Sequence, residues 1–365
     1  MIEKGRLTVR QLASLMFLCT IGEQILVFPS MITSYAQQDA WISSLVGVAG
    51  GTGVLMIMLA VYNINPRLNL IEHVLRILGP WIGASVSVFY LFYFLISSST
   101  FIREMGDFVG SEILKNSPLW ALHLTFIFAL AWGLHSGLSN IGRTGEAFLP
   151  LVVLFLIILV LCLLPKAELE NVKPVLGQGL LSPFKGFIAV LTYPYCEMCI
   201  FMMILPYTER RPHLKRDFLL MGMIGGLLLT LTLSICLLVM GPFMTQHNWF
   251  TSFNLSRMIN IGNFLQRIEA IMASVWVIAV FFKSVLFFYS FALGLAHLFR
   301  LCSYRILILP SSLLILALSI LISPNETFYL KVIIPYWIDW DLTCGIFLPL
   351  LLLLIHHMKL RPQKH

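Results

Sequence analysis

The stretch TIGEQILVFP, residues 20–29, interrupts the first long apolar run of the chain, and TYPYCEMCIFMMILP, residues 192–206, interrupts a later one. Gly22 permits a non-helical bend, whereas Pro29 and Pro194 each remove a backbone donor from a helix. Backbone groups freed in this way are costly in lipid unless they are buried in protein or face a wet cavity. The two stretches therefore predict helices that are broken at a site inside the membrane.

The composition of the chain indicates an integral membrane protein. Of its 365 residues, 59% are hydrophobic and only 11% are charged, whereas a soluble domain carries about 25% charged residues. The net charge of +7 comes from basic residues in short connections between apolar runs, which is typical of an orientation signal and not of nucleic-acid binding. The seven cysteines lie mostly in apolar runs, so we interpret them as reduced packing residues and expect no metal or cofactor.

Ten apolar runs of about 20 residues predict ten membrane-spanning helices in one domain, residues 1–365. No small-residue cleavage site follows the first run, so we expect a retained span and not a signal peptide. The predicted spans are Leu12–Tyr35, Trp41–Tyr62, Trp81–Phe101, Leu119–Gly137, Ala147–Leu164, Phe184–Tyr207, Phe218–Met240, Ile268–Leu298, Ile306–Ile322 and Leu342–Met358.

The charges of the connections predict the orientation of the chain. Fifteen of the 24 Lys and Arg residues fall on one side, eight fall on the other, and Lys283 lies inside a span. The positive-inside rule places the fifteen, and with them both chain ends, in the cytoplasm. The opposite side is predicted to hold most acidic loop residues, among them Asp107, Glu112 and Asp341.

Five spans in each half predict that the second half is inverted relative to the first. The two repeats cover approximately residues 9–165 and 183–358. An amphipathic segment follows the second span of each half, at Asn69–Leu78 and at Ser252–Gln266. We expect each segment to lie as a helix at a membrane surface.

Three ionisable residues lie within the spans: Glu23 in span one, Glu197 in span six and Lys283 in span eight. Such residues usually line a pathway or pair with one another. We predict that Lys283 pairs with Glu23 or Glu197 and that the other acid is protonated. The alternatives are simple kinks in the two helices and a lysine that only packs between helices.

Two further spans carry polar or aromatic faces, which we expect to turn toward the protein interior. At the outer end of span three, Arg103 and Glu104 are expected to form a gate or an interfacial anchor. The face on span three comprises Tyr90, Tyr93, Ser97 and Thr100, and the face on span eight comprises Trp276, Val280, Lys283 and Phe287.

The chain resembles the B subunit of spore germinant receptors, the permease-like component of receptors in endospore-forming bacteria. The similarity covers nearly the whole chain. It is carried by the stretches from Gly22 to Pro29, from Tyr93 to Arg103 (YFLISSSTFIR), from Lys173 to Gly179 (KPVLGQG), from Glu197 to Pro206 and from Arg267 to Gly294 (beginning RIEAIMASVWVIAVFFK).

This resemblance implies an all-α integral membrane fold of the LeuT type, from the amino acid–polyamine–organocation superfamily. Ten helices form a 5+5 inverted repeat with discontinuous helices 1 and 6, and the ligand lies between spans one, three, six and eight. Gln24 occupies the second glycine position of the G-x-G found in many carriers of the superfamily. The residues expected to bind the ligand are Gly22, Glu23, Gln24, Tyr93, Ser97, Pro194, Tyr195, Glu197, Lys283 and Phe287.

The resemblance also implies a function in sensing. A small nutrient, an amino acid or a similar germinant, would bind in the pocket, and the signal would pass to the A and C subunits of the receptor in the spore inner membrane. The alternative is a proton-coupled amino acid transporter of the same superfamily. Tyr93 and Ser97 could instead serve only helix packing. A membrane enzyme is disfavoured because the sequence contains no G-x-S-x-G, no H-E-x-x-H and no P-loop.

Overall fold

The computed structural model describes residues 5–177, 179–259 and 268–360, which are almost entirely helical. The helices of the first half are α1 (Val9–Ile21), α2 (Gln24–Ala36), α3 (Ala40–Ile64), α4 (Leu70–Leu78), α5 (Pro80–Phe108), α6 (Leu119–Ser136) and α7 (Leu138–Leu163). Those of the second half are α8 (Leu181–Val190), α9 (Phe201–Ile204), α10 (Leu214–His247), α11 (Thr251–Arg257), α12 (Ile268–Leu298), α13 (Ile308–Leu321), α14 (Glu326–Phe328), α15 (Ile334–Leu342) and α16 (Leu348–Leu360).

Nine helices within the described ranges are long and apolar enough to cross a membrane. The first predicted span is not counted separately because it is divided into α1, of 13 residues, and α2. Helices α2 and α3 are separated only by a 3-10 turn at Gln37–Asp39, so they are counted together as the 41 residues Gln24–Ile64. When α1 and α2 are counted together as span one, and α3 as span two, the bundle has the ten predicted spans.

The chain reverses direction between α2 and α3, at Gln37, whose φ is 50°. Helix α3 runs in the same direction as the sixth span. The hydroxyl of Ser43 donates to the carbonyl of Pro183, at 2.9 Å, and farther along both elements Gly51 lies against the ring of Tyr195.

Span one runs antiparallel to span six. At one end, the backbone N–H of Leu7 donates to the carbonyl of Tyr207, at 2.9 Å. At the other end, the hydroxyl of Ser182 donates to the carbonyl of Tyr35, at 2.9 Å. This pairing of the first spans of the two halves is the relationship that an inverted repeat requires. The exact bounds of the two repeats stay a prediction.

The break in span one is a two-residue turn at Gly22 and Glu23. Gly22 ends α1 with φ 35° and ψ −133°, and its N–H still donates to the carbonyl of Leu18. The carbonyl of Glu23 accepts a hydrogen bond from the indole N–H of Trp276 in α12, at 3.1 Å. The turn is thus stabilised from a neighbouring span. Pro29, by contrast, lies inside α2 without ending it.

The interruption of span six takes the form of changes in helical winding. Helix α8 passes into a π-helical turn at Leu191–Tyr195, which contains Pro194. A 3-10 turn follows at Cys196–Ile200, and α9 continues the span. Proline cannot donate the normal helical hydrogen bond, and π-helical turns occur frequently at functional sites. Span six therefore deviates from regular α-helix where span one is broken.

The inner and outer spans differ clearly in burial. In the most apolar 18-residue part of each span, 89% of the residues of span six and 72% of those of α12 are buried. The corresponding shares are 28% for α6 and 33% for the span that contains α13. An internal site can therefore be formed by spans one, three, six and eight, whereas α6, α7 and α13 face lipid.

The first amphipathic segment forms α4, which begins with a capping box between Asn69 and Glu72. Such reciprocal side-chain and backbone hydrogen bonds satisfy donors at the start of a helix. The second predicted segment, Ser252–Gln266, is described only in part: α11 covers seven residues, and residues 260–267 lie outside the described part of the chain.

Two predicted span ends are wrong because charged residues continue the helices. Helix α5 extends beyond Phe101, and within it Arg103 pairs with Asp107, Nε to Oδ2 at 2.8 Å. Asp341, predicted to lie in a loop, is fully buried in α15, where the hydroxyl of Tyr93 donates to it. In both cases a hydrogen-bond partner within the protein makes burial of the polar group tolerable.

Candidate functional site

Lys283 joins the two interrupted spans at the centre of the bundle. Its Nζ donates to Oε1 of Glu23, at 2.6 Å, and also to Oε2 of Glu197. The exposed fractions of the three side chains are 0%, 4% and 2%, respectively. Phe101 adds a ring whose centroid is 5.1 Å from Nζ, a distance at which a cation–π contact is favourable. The prediction that Lys283 pairs with one acid is thus too narrow, since it contacts both.

The turn of span one brings its three predicted residues to this ion cluster. Gly22 lies against the aliphatic part of the Lys283 side chain. The side-chain amide of Gln24 donates to Oε1 of Glu23, at 2.7 Å. This leaves Oε2 of Glu23 and Oε1 of Gln24 buried without a hydrogen-bond partner among the described residues.

A small cavity adjoins the ion cluster. Its free volume is about 20 Å³, and about 10–15 Å³ suffices for one water molecule. The cavity is therefore almost closed in this conformation. Its lining consists of Glu23, Gln24, Val27, Met31, Thr100, Phe101, Glu104, Tyr193, Glu197, Trp249, Tyr329, Ile334 and Trp337.

Tyr93 and Phe287 form an aromatic layer behind this cavity. Their ring centroids are 6.0 Å apart in an edge-on arrangement, and Trp337 and Trp340 extend the layer. The hydroxyl of Tyr93 donates to Oδ1 of Asp341, at 2.7 Å. Neither Tyr93 nor Phe287 lines the cavity itself, so their contact with a ligand stays a prediction. Asp341 adds a buried carboxyl that the sequence did not reveal.

Other predicted residues point elsewhere. Ser97 donates its hydroxyl to the carbonyl of Tyr93 in its own helix, at 2.8 Å. Pro194 shapes the π-helical turn. The ring of Tyr195 lies against Gly51, and its hydroxyl reaches the carbonyl of Gly222, at 3.4 Å. None of these three residues lines the cavity.

Glu104 is a site residue that the sequence analysis assigned to a gate or anchor. Its Oε1 accepts a hydrogen bond from the hydroxyl of Tyr329, while Oε2 is buried with no partner in the part of the chain that the structure describes. Glu104 continues the polar stripe of span three, because it follows Tyr93, Ser97 and Thr100 at helical spacing. Extending that stripe by one turn would have identified it.

The end of span three closes the cavity on one side. Arg103 pairs with Asp107 and also donates from Nη1 to the carbonyl of Ser323, at 2.5 Å. Ser323 precedes the last span, as does Tyr329, which contacts Glu104. These contacts fasten α5 to the connection between α13 and α15. These contacts lie at the end of the bundle opposite to the end at which α1 begins.

The helical bundle and its interrupted first and sixth spans define an integral membrane protein with the LeuT-type fold. The structure is similar to that of MhsT in complex with L-phenylalanine, with a TM-score of 0.72, 13% identity and coverage of 94% of this chain and 87% of that chain. It is also similar to Mhp1, a nucleobase-cation-symport-1 family transporter, in a closed conformation with bromovinylhydantoin bound, with a TM-score of 0.64, 14% identity and coverage of 88% and 73%. At these identities the likeness establishes the fold.

The chain belongs to the spore germination protein family, also termed spore permeases, whose sequence profile matches residues 6–327. It is 26% identical over 334 residues to spore germination protein KB of Bacillus subtilis (strain 168), covering 90% of this chain and 88% of that protein. It is also 26% identical over 290 residues to spore germination protein A2 of the same strain, covering 77% of each. These relatives are germination proteins and Mhp1 is a transporter, so neither comparison points to an enzyme.

Proposed function

We propose that this protein is the germinant-sensing transmembrane subunit of a spore germinant receptor. A small nutrient that carries an ammonium group, such as an amino acid, binds between the interrupted spans. The chain lies in the spore inner membrane with both ends in the cytoplasm, and it passes the signal to the A and C subunits. Family membership supports the receptor assignment, and the transporter-like fold supports a ligand site inside the bundle.

One observation carries the ligand proposal: three buried oxygen atoms that have no hydrogen-bond partner among the described residues belong to residues that line one cavity. They are Oε2 of Glu23, Oε1 of Gln24 and Oε2 of Glu104. Each unsatisfied buried acceptor costs about 1–3 kcal/mol. An ammonium group has three N–H donors and no acceptor, so one such group has as many donors as there are unpaired oxygens.

The charge balance of the cavity favours the same ligand. Glu23, Glu104 and Glu197 contribute three carboxyl groups to the lining, and Lys283 is the cation that contacts two of them. Carboxyl groups thus outnumber ammonium groups around a buried space. The ammonium group of the ligand offsets this excess of carboxyl groups. The carboxylate that an amino acid also carries needs a different partner.

Binding must be coupled to a change of conformation. A cavity of about 20 Å³ is far smaller than the roughly 300–1,000 Å³ of ordinary ligand sites. A nutrient therefore binds a more open arrangement of the spans and shifts the population toward it. The contacts of Arg103 and Glu104 with the last connection must loosen when the cavity opens. This shift is the signal that we propose for the partner subunits.

The ligand proposal is tested with the purified full-length chain in detergent and a panel of L-amino acids and their N-acetyl derivatives. We expect at least one amino acid to raise the unfolding midpoint and its N-acetyl derivative to have no effect. Glu104→Gln should weaken that binding about tenfold, since a charge-assisted hydrogen bond is lost. The exposed Glu168→Gln is the matched control. Equal binding of the N-acetyl derivative would contradict recognition through an ammonium group.

The transporter alternative has one specific observation in its favour. Three carboxyl groups line the cavity, and Lys283 is the cation that contacts two of them. One of these carboxyl groups could take up and release a proton during transport. Radiolabelled uptake into proteoliposomes that contain only this chain separates the two functions. Binding without concentrative flux supports a sensor. Accumulation driven by a pH gradient supports a proton-coupled carrier.

A further inference from the structure

A second polar cavity lies at the end of the bundle where α3 ends and α4 begins. Its free volume is about 160 Å³. Four of its seven lining residues are basic, and none of the described residues that line it is acidic. The lining consists of Ile64, Asn65, His73, Arg76, Ile77, His356 and Lys359.

The basic groups of this cavity are not neutralised by the acidic residue nearest to them in sequence. Glu72 accepts a hydrogen bond from the backbone N–H of Asn69, at 2.9 Å. Its other oxygen lies 3.5 Å from Nδ1 of His297 in α12. No ion pair of Arg76 or Lys359 with a carboxylate is found in the described part of the chain. The cavity therefore keeps a positive potential.

One side chain of this cavity is buried with a nitrogen that has no partner. His73 is 2% exposed, and its Nε2 forms no hydrogen bond with any described residue. Lys359, at the end of α16, donates to the carbonyl of Ile77, at 2.7 Å, and so brings its ammonium group to the cavity. Arg76 and His356 complete the basic wall.

We propose that this cavity binds a phosphate group. Arginine and lysine form strong charge-assisted hydrogen bonds with phosphate oxygens, and Arg76 and Lys359 supply these groups here. Basic pockets between membrane helices bind lipid head groups, and α4 is an amphipathic helix that packs against α5 and α16 at one end of the bundle. A volume of about 160 Å³ is below the roughly 300–1,000 Å³ of sites for larger ligands. The site thus suits the phosphate of an anionic lipid or a free phosphate ion.

A bound phosphate would connect three elements of the bundle. Asn65 follows α3, His73 and Arg76 belong to α4, and Lys359 lies at the end of α16. The phosphate would fasten the last span to the first surface helix, at a distance from the nutrient cavity. This site does not depend on the proposed ammonium ligand, so either proposal can fail without the other.

The test measures the unfolding midpoint of the purified full-length chain in uncharged detergent. The probes are sodium phosphate and dihexanoyl-phosphatidylglycerol, with sodium chloride at matched ionic strength and a short-chain diacylglycerol as controls. We expect saturable stabilisation by phosphatidylglycerol. The double variant Arg76→Gln/Lys359→Gln should bind it about thirtyfold more weakly, since each basic residue near the surface contributes about 1 kcal/mol.

The control variant is Arg143→Gln/Lys215→Gln, which removes the same charge from two exposed positions outside the cavity and should keep the wild-type response. Stabilisation by phosphatidylglycerol alone identifies a lipid head group, and equal stabilisation by sodium phosphate identifies a free anion. The proposal is overturned if neither probe binds saturably, or if the Arg76/Lys359 variant responds as the wild type does. Because both replaced side chains are exposed, the variant is expected to fold.

Discussion

Gly22 lies directly against the side chain of Lys283. A β-carbon at position 22 would be 2.6 Å from Cδ of Lys283 and 2.9 Å from the carbonyl oxygen of Cys19. The absence of a side chain lets the lysine cross the turn of span one and reach Glu23 and Glu197 together. Position 22 therefore requires glycine for two reasons. Its φ is positive, at 35°, and Lys283 occupies the space that a β-carbon would need.

The variant Gly22→Ala should destabilise the protein and abolish the germination response. Its β-carbon would force either the turn or Lys283 to move, and overpacking of this kind costs about 1–3 kcal/mol. The measurements are the unfolding midpoint of the purified chain and the germination rate of spores that carry the variant. Gly53→Ala is the matched control, because a β-carbon there meets nothing within 4 Å. Equal behaviour of the two variants would refute the close packing of Gly22 and Lys283.

Removal of the central ammonium in Lys283→Met should have a larger effect. The variant leaves Glu23 and Glu197 buried and facing each other, and breaking a buried ion pair costs about 3–5 kcal/mol. We expect poor assembly and loss of the germination response. Lys185→Met, at an exposed position of α8, should be neutral.

A second variant separates folding from signalling at this cluster. Lys283→Met combined with Glu23→Gln and Glu197→Gln removes all three charges and should recover much of the assembly. The response should stay absent, because the charged cluster that connects spans one, six and eight is gone. If Lys283→Met alone assembled and responded normally, the ion cluster would have no functional role.

The sequence predicts the centre of the site well because charged residues in apolar runs are few. Glu23, Glu197 and Lys283 are exceptional in their surroundings, and the structure brings all three into contact. The number of spans follows from the length of the apolar runs. The charged positions and the number of spans can both be read from the order of apolar and charged residues along the chain, without knowledge of how the helices pack.

The orientation of individual side chains cannot be predicted in the same way. Tyr195 is the last residue of a π-helical turn, whose wider winding changes the direction of the side chains in and after it relative to regular α-helix. As a result Tyr193 faces the cavity and Tyr195 packs against α3. The burial of Asp341 could not be predicted because its partner, Tyr93, is 248 positions away in sequence. Without that hydrogen bond, a carboxyl next to an apolar run is expected in a loop.

The hydrogen bond between Tyr93 and Asp341 predicts an energetic coupling of spans three and ten. Tyr93→Phe removes the donor and leaves both oxygens of a buried carboxyl without partners, which should cost about 1–3 kcal/mol. Asp341→Asn and the double variant complete a cycle of unfolding midpoints. The double variant should be less destabilised than the sum of the single variants. Strict additivity would show that the two side chains do not interact, and Tyr336→Phe, at a position 71% exposed, should have no effect.

His73 predicts a specific loss of stability in mild acid. Burial lowers the pKa of His73 from 6.5 to about 4, with further lowering by Arg76 and His356 and an opposing hydrogen bond to the Asn65 backbone. The other charged groups near it are Glu72 and Lys359.

The unfolded chain therefore binds more protons at His73 than the folded chain does between pH 6.5 and pH 4. Stability from neutral His73 is complete above pH 6.5 and is lost as the pH falls toward 4. His73→Gln should flatten the pH dependence of the unfolding midpoint in this window. Phosphatidylglycerol should also reduce the acid sensitivity of the wild type, because a phosphate beside His73 favours its protonated form. An unchanged pH profile in His73→Gln would show that His73 does not titrate as its burial requires.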